Sequence, residues 1–180
     1  DVNPSGKLTS TFPQNIGQVP IYYAHKNTGR PLPQGKWFEK FRSNYLDVSN
    51  DPLYPFGYGL SYTQFTYSDI KLSSSKMAKS GSIIASVTVT NTGMIEGKEV
   101  VQLYLRDMVG SITRPVKELK GFQKINLKPG ESKELSFTIT EEELKFYNSD
   151  LQYVSEPGDF KVFIGSNSRD VKENGFELTD

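Results

Sequence analysis

From residue 65 onward, apolar side chains recur at every second position, and this alternation limits the fold more than any other feature of the chain. In 82–90, Ile83, Ala85, Val87 and Val89 share one face while Ser86, Thr88 and Thr90 take the other. In 100–106, Val101, Leu103 and Leu105 alternate with Gln102, Tyr104 and Arg106. In 132–140, Leu135, Phe137 and Ile139 alternate with Glu134, Ser136, Thr138 and Thr140; in 159–164, Phe160, Val162 and Ile164 share a face. A period of two puts successive side chains on opposite sides of a strand, so each segment predicts a strand with one face buried. Weaker strands are expected at 65–72, 118–127 and 175–178. Outward positions are expected to be mainly Ser, Thr, Gln, Lys and Glu, with Tyr104 and Phe163 as exceptions.

The connections carry matching chemistry. Lys128-Pro129-Gly130-Glu131 and Glu156-Pro157-Gly158-Asp159 both suit a type II turn, with Pro presetting φ and Gly accepting a positive φ. Asn91-Thr92-Gly93 punctuates the chain after a strand. Thr140 and Glu143 have the spacing of a capping box, which predicts a short helix whose Leu144 and Tyr147 close one end of the core. About seven short strands with such turns make a mainly β chain: an antiparallel β-sandwich of immunoglobulin-like or fibronectin type III-like architecture over 65–180. Its expected core is Ile83, Ala85, Val87, Val89, Val101, Leu103, Leu105, Leu119, Ile125, Leu127, Leu135, Phe137, Ile139, Phe160, Val162 and Ile164.

Residues 1–64 differ. They hold most of the prolines and little alternation, yet Tyr22, Tyr23, Trp37, Phe38, Phe41, Tyr45, Tyr54, Phe56, Tyr58 and Tyr62 make them too aromatic for a disordered linker. They read as an extended arm lying on something apolar. Folding back is expected around 54–62, where Gly57 and Gly59 permit close approach. Residues 1–23 are expected to need a neighbour, as an unpaired edge strand does.

Several function classes are excluded. The 21 Lys and Arg balance 21 Asp and Glu, which leaves no basic face for nucleic acid. No apolar run approaches the ~20 residues of a spanning helix. With no Cys and one His, thiolate chemistry and multi-His metal sites are out, and no cofactor is expected. His25 has no nucleophile or orienting acid at recognisable spacing and reads as structural. Glu141-Glu142-Glu143 reads as a helix start. The glycines of Phe56-Gly57-Tyr58-Gly59-Leu60 lack the context of a phosphate loop. Trp37 as a stacking platform and Asp47 as an acceptor of sugar hydroxyls are the candidate substrate-binding residues; both also suit plain packing and turn roles.

The arm carries a family resemblance. Asn3-Pro4-Ser5-Gly6-Lys7-Leu8, Thr11-Phe12-Pro13, Val19-Pro20-Ile21-Tyr22-Tyr23 and Asn27-Thr28-Gly29-Arg30-Pro31 occur in order, and Tyr45-Leu46-Asp47 leads into Pro52-Leu53-Tyr54-Pro55-Phe56-Gly57-Tyr58-Gly59-Leu60-Ser61-Tyr62. The sandwich adds Val89-Thr90-Asn91-Thr92-Gly93 and Arg114-Pro115-Val116-Lys117-Glu118-Leu119-Lys120-Gly121-Phe122. Together they resemble the C-terminal end of glycoside hydrolase family 3 enzymes of the bacterial periplasmic β-glucosidase kind. The resemblance implies a remnant of an α/β sandwich domain at 1–24, a connecting arm at 25–64 and a fibronectin type III-like domain at 65–180. It implies a parent that hydrolyses terminal β-glucosides with retention, using an Asp and a Glu. Neither catalytic motif has a counterpart here, so no catalytic residue carries over and the chain alone is expected to be inert. The implied partners are upstream catalytic domains of the same chain, and the implied location is periplasmic or secreted. A carbohydrate-binding module and a homodimer interface remain open as alternative roles.

Overall fold

The computed structural model describes residues 2–32 and 36–180; Asp1 and residues 33–35 of the arm lie outside the described residues. Among the described residues, eleven strand segments and one short helix follow a single turn of 3-10 helix at Ile16–Gln18: β1 (Phe65–Tyr67), β2 (Lys71–Leu72), β3 (Lys76–Ala78), β4 (Ser82–Asn91), β5 (Gly97–Asp107), β6 (Glu118–Leu127), β7 (Ser132–Thr140), α1 (Glu141–Leu144), β8 (Phe146–Tyr147), β9 (Tyr153–Val154), β10 (Gly158–Gly165) and β11 (Val171–Thr179). One sheet has β4 in the middle, with β7 on one side and both β1 and β2 on the other. The second runs β3-β11-β10-β5-β6, and β8 pairs with β9 as a separate ribbon. The two sheets bury their facing sides against each other, as a fibronectin type III-like sandwich does.

The longer strands fall where the alternation puts them. Ile83, Val89, Val101, Leu127, Ile139, Val162 and Ile164 are fully buried. Each contributes roughly 1.5–3 kcal/mol before entropy is set against it. Phe160 and Phe176 face each other across β10 and β11 with ring centres 5.5 Å apart. Ile70, Met77, Phe176 and Leu178 complete the core.

Several expectations need correcting. The expected strand at 65–72 is two segments, because the pairing with β4 slips by one residue between Tyr67 and Lys71. The chain then crosses to the other sheet, where β3 pairs with β11 in parallel, so the sandwich is not wholly antiparallel. Leu119 is half-buried, not core. Lys120 is the extra residue of a bulge between the Leu103↔Gly121 and Tyr104↔Leu119 pairs, and a one-residue slip moves Leu119 to the outer face.

Around the helix and turns the outcome is divided. The capping box forms: Glu142 N–H donates to Thr140 Oγ1 and Thr140 N–H to Glu143 Oε2. Burial raises the Glu143 carboxyl, but the bonds from Thr140 outweigh it and the net shift is down. Leu144 is buried as expected; Tyr147 is exposed, and Phe146 takes the buried place. Lys145 turns the chain extended, which breaks the helical spacing. Gly130, at φ +74, closes the first Pro-Gly turn with a Glu131 N–H bond to the Lys128 carbonyl. Gly158, at φ +154, opens β10 with a far more extended backbone than a type II turn requires.

Candidate functional site

The outer face of the five-stranded sheet should meet water by its alternation; over β6 it does, with Phe122 66% exposed, but over β5 and β10 it does not. Tyr104 is fully buried, and Gln102 and Phe163 are nearly so. Tyr104 and Phe163 therefore depart from the exposure their positions imply: Tyr23 of the arm lies against Tyr104, and Lys117 from the connection between β5 and β6 lies over Phe163. Tyr23 stacks on Phe56 with ring centres 4.3 Å apart and meets Tyr104 edge-on at 5.8 Å. Gln102 Nε2 donates to the carbonyls of Gly57, at 3.1 Å, and Ser166, at 2.7 Å. Tyr104 OH donates to Gln102 Oε1 at 2.5 Å. Burial, then the nearby Tyr23, raises the Tyr104 hydroxyl above its usual range.

Lys117 is fastened into the same junction. Its ammonium lies 4.4 Å from the Phe163 ring centre and donates to the Ser168 carbonyl at 2.7 Å. Ser168 N–H in turn donates to the Phe56 carbonyl. Burial pulls Lys117 down to about 8, with Glu173 opposing and Arg106 adding to the shift.

The first residues find partners within the chain, contrary to the expectation for 1–23. Leu8 N–H donates to the Tyr58 carbonyl and Gly57 N–H to the Leu8 carbonyl; Phe12 N–H donates to the Tyr54 carbonyl and Leu53 N–H to that of Phe12. Asn3 bonds Ser61 and the Tyr62 N–H. Lys7 pairs with Glu99, to which Tyr67 OH also donates. Burial, then Glu99, raises the Tyr67 hydroxyl. Gln18 is fully buried, and its amide donates to the carbonyls of Ser49 and Asp51.

Between arm and sandwich lies a cleft of about 750 Å³, whose walls include Tyr22, His25, Lys26, Tyr45, Arg106 and Val116. Its size is that of a ligand site. A backbone bond from Val116 N–H to the His25 carbonyl fixes the arm beside it. His25 is exposed, with Nδ1 3.2 Å from the Lys26 carbonyl. Neither Trp37 nor Asp47 is part of this cleft. Trp37 is 59% exposed with its ring centre 5.8 Å from that of Phe38, and Asp47 is exposed.

A second cluster sits at the end of β5. Asp107 Oδ1 accepts from Val109 N–H, while Oδ2 and the 3.8 Å distant Arg114 Nε have no hydrogen-bond partner among the described residues. Burial raises Asp107 against the pull of Val109 N–H and Arg114. Arg114 is engaged elsewhere, with Glu118 and over the Phe146 ring. Sequence reasoning did not find this cluster; Asp107 and Arg114 ending β5 and preceding Pro115 were its only signal. Among the described residues, no three His, Cys, Asp or Glu are placed to hold a metal, and no helix is long and apolar enough to cross a membrane.

Residues 99–168 match the model of the fibronectin type III-like domain, in agreement with the sandwich. Over nearly its whole length the chain is also similar to glycosidases. It is 57% identical to a periplasmic beta-glucosidase of Salmonella typhimurium, aligning over 99% of its own length and 23% of that protein's. It is 45% identical to a beta-xylosidase of Formosa agariphila, over 94% of its own length and 22% of the other. The crystal structure of beta-glucosidase from Listeria innocua in complex with glucose superposes with a TM-score of 0.93 at 46% identity, covering 99% of this chain and 25% of that one. The fold and these matches define an accessory fibronectin type III-like sandwich, preceded in this chain by an extended aromatic-rich arm. The chain corresponds to a C-terminal portion of glycoside hydrolase family 3 enzymes and spans about a quarter of the length of the relatives it matches.

Proposed function

We propose that this chain is the C-terminal accessory region of an exported β-glucosidase, periplasmic or secreted, whose catalytic Asp and Glu lie in the polypeptide ahead of it. Residues 1–24 are the end of its α/β domain, 25–64 the connecting arm and 65–180 the terminal sandwich. The identity of 57% to a periplasmic beta-glucosidase, over 99% of this chain, carries the reading. On it, the 180 residues serve as scaffold and hydrolyse nothing alone, since they hold neither catalytic motif. The test compares turnover of an aryl β-glucoside by the isolated chain and by the complete product of its gene. Background rate for the first and turnover for the second support the reading. Turnover by the chain alone, lost on mutating one of its own carboxylates, overturns it.

A second reading keeps Trp37 and Asp47 as saccharide contacts, favoured by the exposed Trp37 ring beside Phe38. Titrating the chain with cello-oligosaccharides while following the fluorescence of its single Trp tests it. An unchanged spectrum removes that role.

A further inference from the structure

Asn174-Gly175, in β11, is the one place in the chain where Asn is followed by Gly. That dipeptide is open to a reaction of its own. The backbone nitrogen of the second residue attacks the side-chain carbonyl carbon of the first, and Gly puts no Cβ in the way. A regular strand opposes this by engaging its N–H groups in the ladder. Gly175 escapes that protection. Ser166 N–H donates to the Asp170 carbonyl, in the pair next beyond Gly165↔Val171. Carried along the register, this makes the even-numbered residues of β10 and β11 exchange the ladder bonds. Gly175, opposite Lys161, therefore turns its N–H away from β10. On that side β3 begins its pairing with β11 at Glu177, whose N–H reaches the Ser75 carbonyl. The Gly175 N–H goes instead to the side chain beside it. It donates to Asn174 Oδ1 at 2.8 Å, and Cγ is one bond beyond that oxygen. Asn174 Nδ2 donates to the Ile70 carbonyl at 2.8 Å, which holds the amide in place. Both residues are exposed, so water reaches the pair. Asn148 and Asn167 differ. Each precedes Ser, and each turns its Oδ1 to N–H groups two or more residues further on.

We infer that Asn174 is a site of spontaneous deamidation built into the last strand, and that its conversion loosens the sandwich. The Gly175 nitrogen loses its proton to hydroxide and bonds to Cγ; the Cγ–Nδ2 bond breaks, and ammonia leaves with a proton from water. The cyclic succinimide that results takes up one water. Opening at one carbonyl gives Asp, and opening at the other gives isoaspartate. The net change is amide plus water to carboxylic acid plus ammonia, so no further reagent is consumed. Both products lose the donor to Ile70 and gain a carboxylate next to Glu173. Isoaspartate also routes the main chain through the former Cβ. The extra backbone carbon falls just before Phe176 and Leu178, core residues whose inward facing depends on the register with β10 and β3.

The experiment incubates the folded chain, and separately the same chain in urea, at mildly alkaline pH. Peptide mass mapping locates each amide-to-acid conversion, and labelling by an isoaspartyl methyltransferase counts isoaspartate. In the folded chain Asn174 should convert ~10-fold faster than Asn148 or Asn167, since Gly leaves the attacking nitrogen unscreened. Its rate should be comparable to that in urea. Asn174→Gln, which has to close a larger ring, should abolish the fast conversion; circular dichroism shows whether it is folded. The converted chain, separated by ion exchange, should denature at lower urea than the unconverted one. Asn174→Asp, which loses the donor and keeps the backbone length, should fall between them. Conversion of Asn174 in urea but not in the folded chain overturns the inference, because β11 would then be shielding the Gly175 nitrogen. Conversion with an unchanged denaturation midpoint overturns the loosening of the sandwich.

Discussion

Lys7 Nζ lies 3.0 Å from Glu99 Oε1, and the two side chains are 14% and 5% exposed. The pair joins the first residues of the arm to the five-stranded sheet across 92 positions of sequence. Taking either charge out of water is costly, and the pair persists because each offsets the other and Tyr67 OH adds a second donor to the same oxygen. Arm and sandwich are therefore coupled, and the arm's stability can be read through the sheet.

Lys7→Ala should leave Glu99 buried with one donor fewer. Breaking a buried pair costs roughly 3–5 kcal/mol; Tyr67 keeps the loss near the lower end. Urea denaturation is the measurement, and Lys7→Ala with Glu99→Gln should recover part of the loss. An unchanged midpoint in the single variant would show that water reaches Glu99 freely.

Gly57→Ala should loosen the arm. Gly57 has φ +79, and an added Cβ would meet Gln102 Oε1 at 2.0 Å. The backbone strain alone is worth about 1–3 kcal/mol. The variant should be cut faster by protease before residue 65 while the sandwich stays resistant.

Lys117 gives stability a dependence on pH. Its folded value is about 8 against 10.5 for the free side chain. Between those values the unfolded chain binds more protons, so stability rises with pH, and below about 8 the buried ammonium is a standing cost. Lys117→Met should be more stable than wild type near neutrality, with the difference shrinking as pH climbs from 8 towards 10. Denaturation midpoints of both proteins across that range give the answer; a constant difference would rule out Lys117 as the source.

Asn91→Ala should damage the sandwich itself. The fully buried Asn91 amide donates to the carbonyls of Leu127 and Ile95, and its oxygen accepts from Thr63 OH. Leaving these groups without partners costs at least about 2 kcal/mol. Phe137→Ala, which opens a cavity in the core, should cost about 3–5 kcal/mol if the site cannot collapse. Calorimetry of both variants should show one cooperative transition at lower temperature.

Alternation made the sandwich legible. Ile83, Val87, Leu103, Phe137 and Val162 had to face inward because a strand's side chains alternate strictly and one side of each sheet carried most of its apolar residues. The capping box at Thr140 and the turn at Gly130 were equally plain, since each depends on residues three or four apart. Leu119 and Tyr147 were misplaced because a bulge at Lys120 and an extended Lys145 broke the period locally, and no propensity marks either residue. Trp37 and Asp47 stood out by residue type, but which side chains share the cleft depends on contacts distant in sequence.

The sequence by itself determined the strands, their inward faces and the family, because these rest on local periodicity and on contiguous motifs. Only the tertiary structure decided what lies on the outer face of β5. Tyr104 and Gln102 look like ordinary outward positions until Tyr23 and Gly57 arrive from the arm to exclude water from them, and Phe163 does until Lys117 comes to lie over it. Burial is a property of what comes to rest on a residue, and that partner lies tens of positions away along the chain.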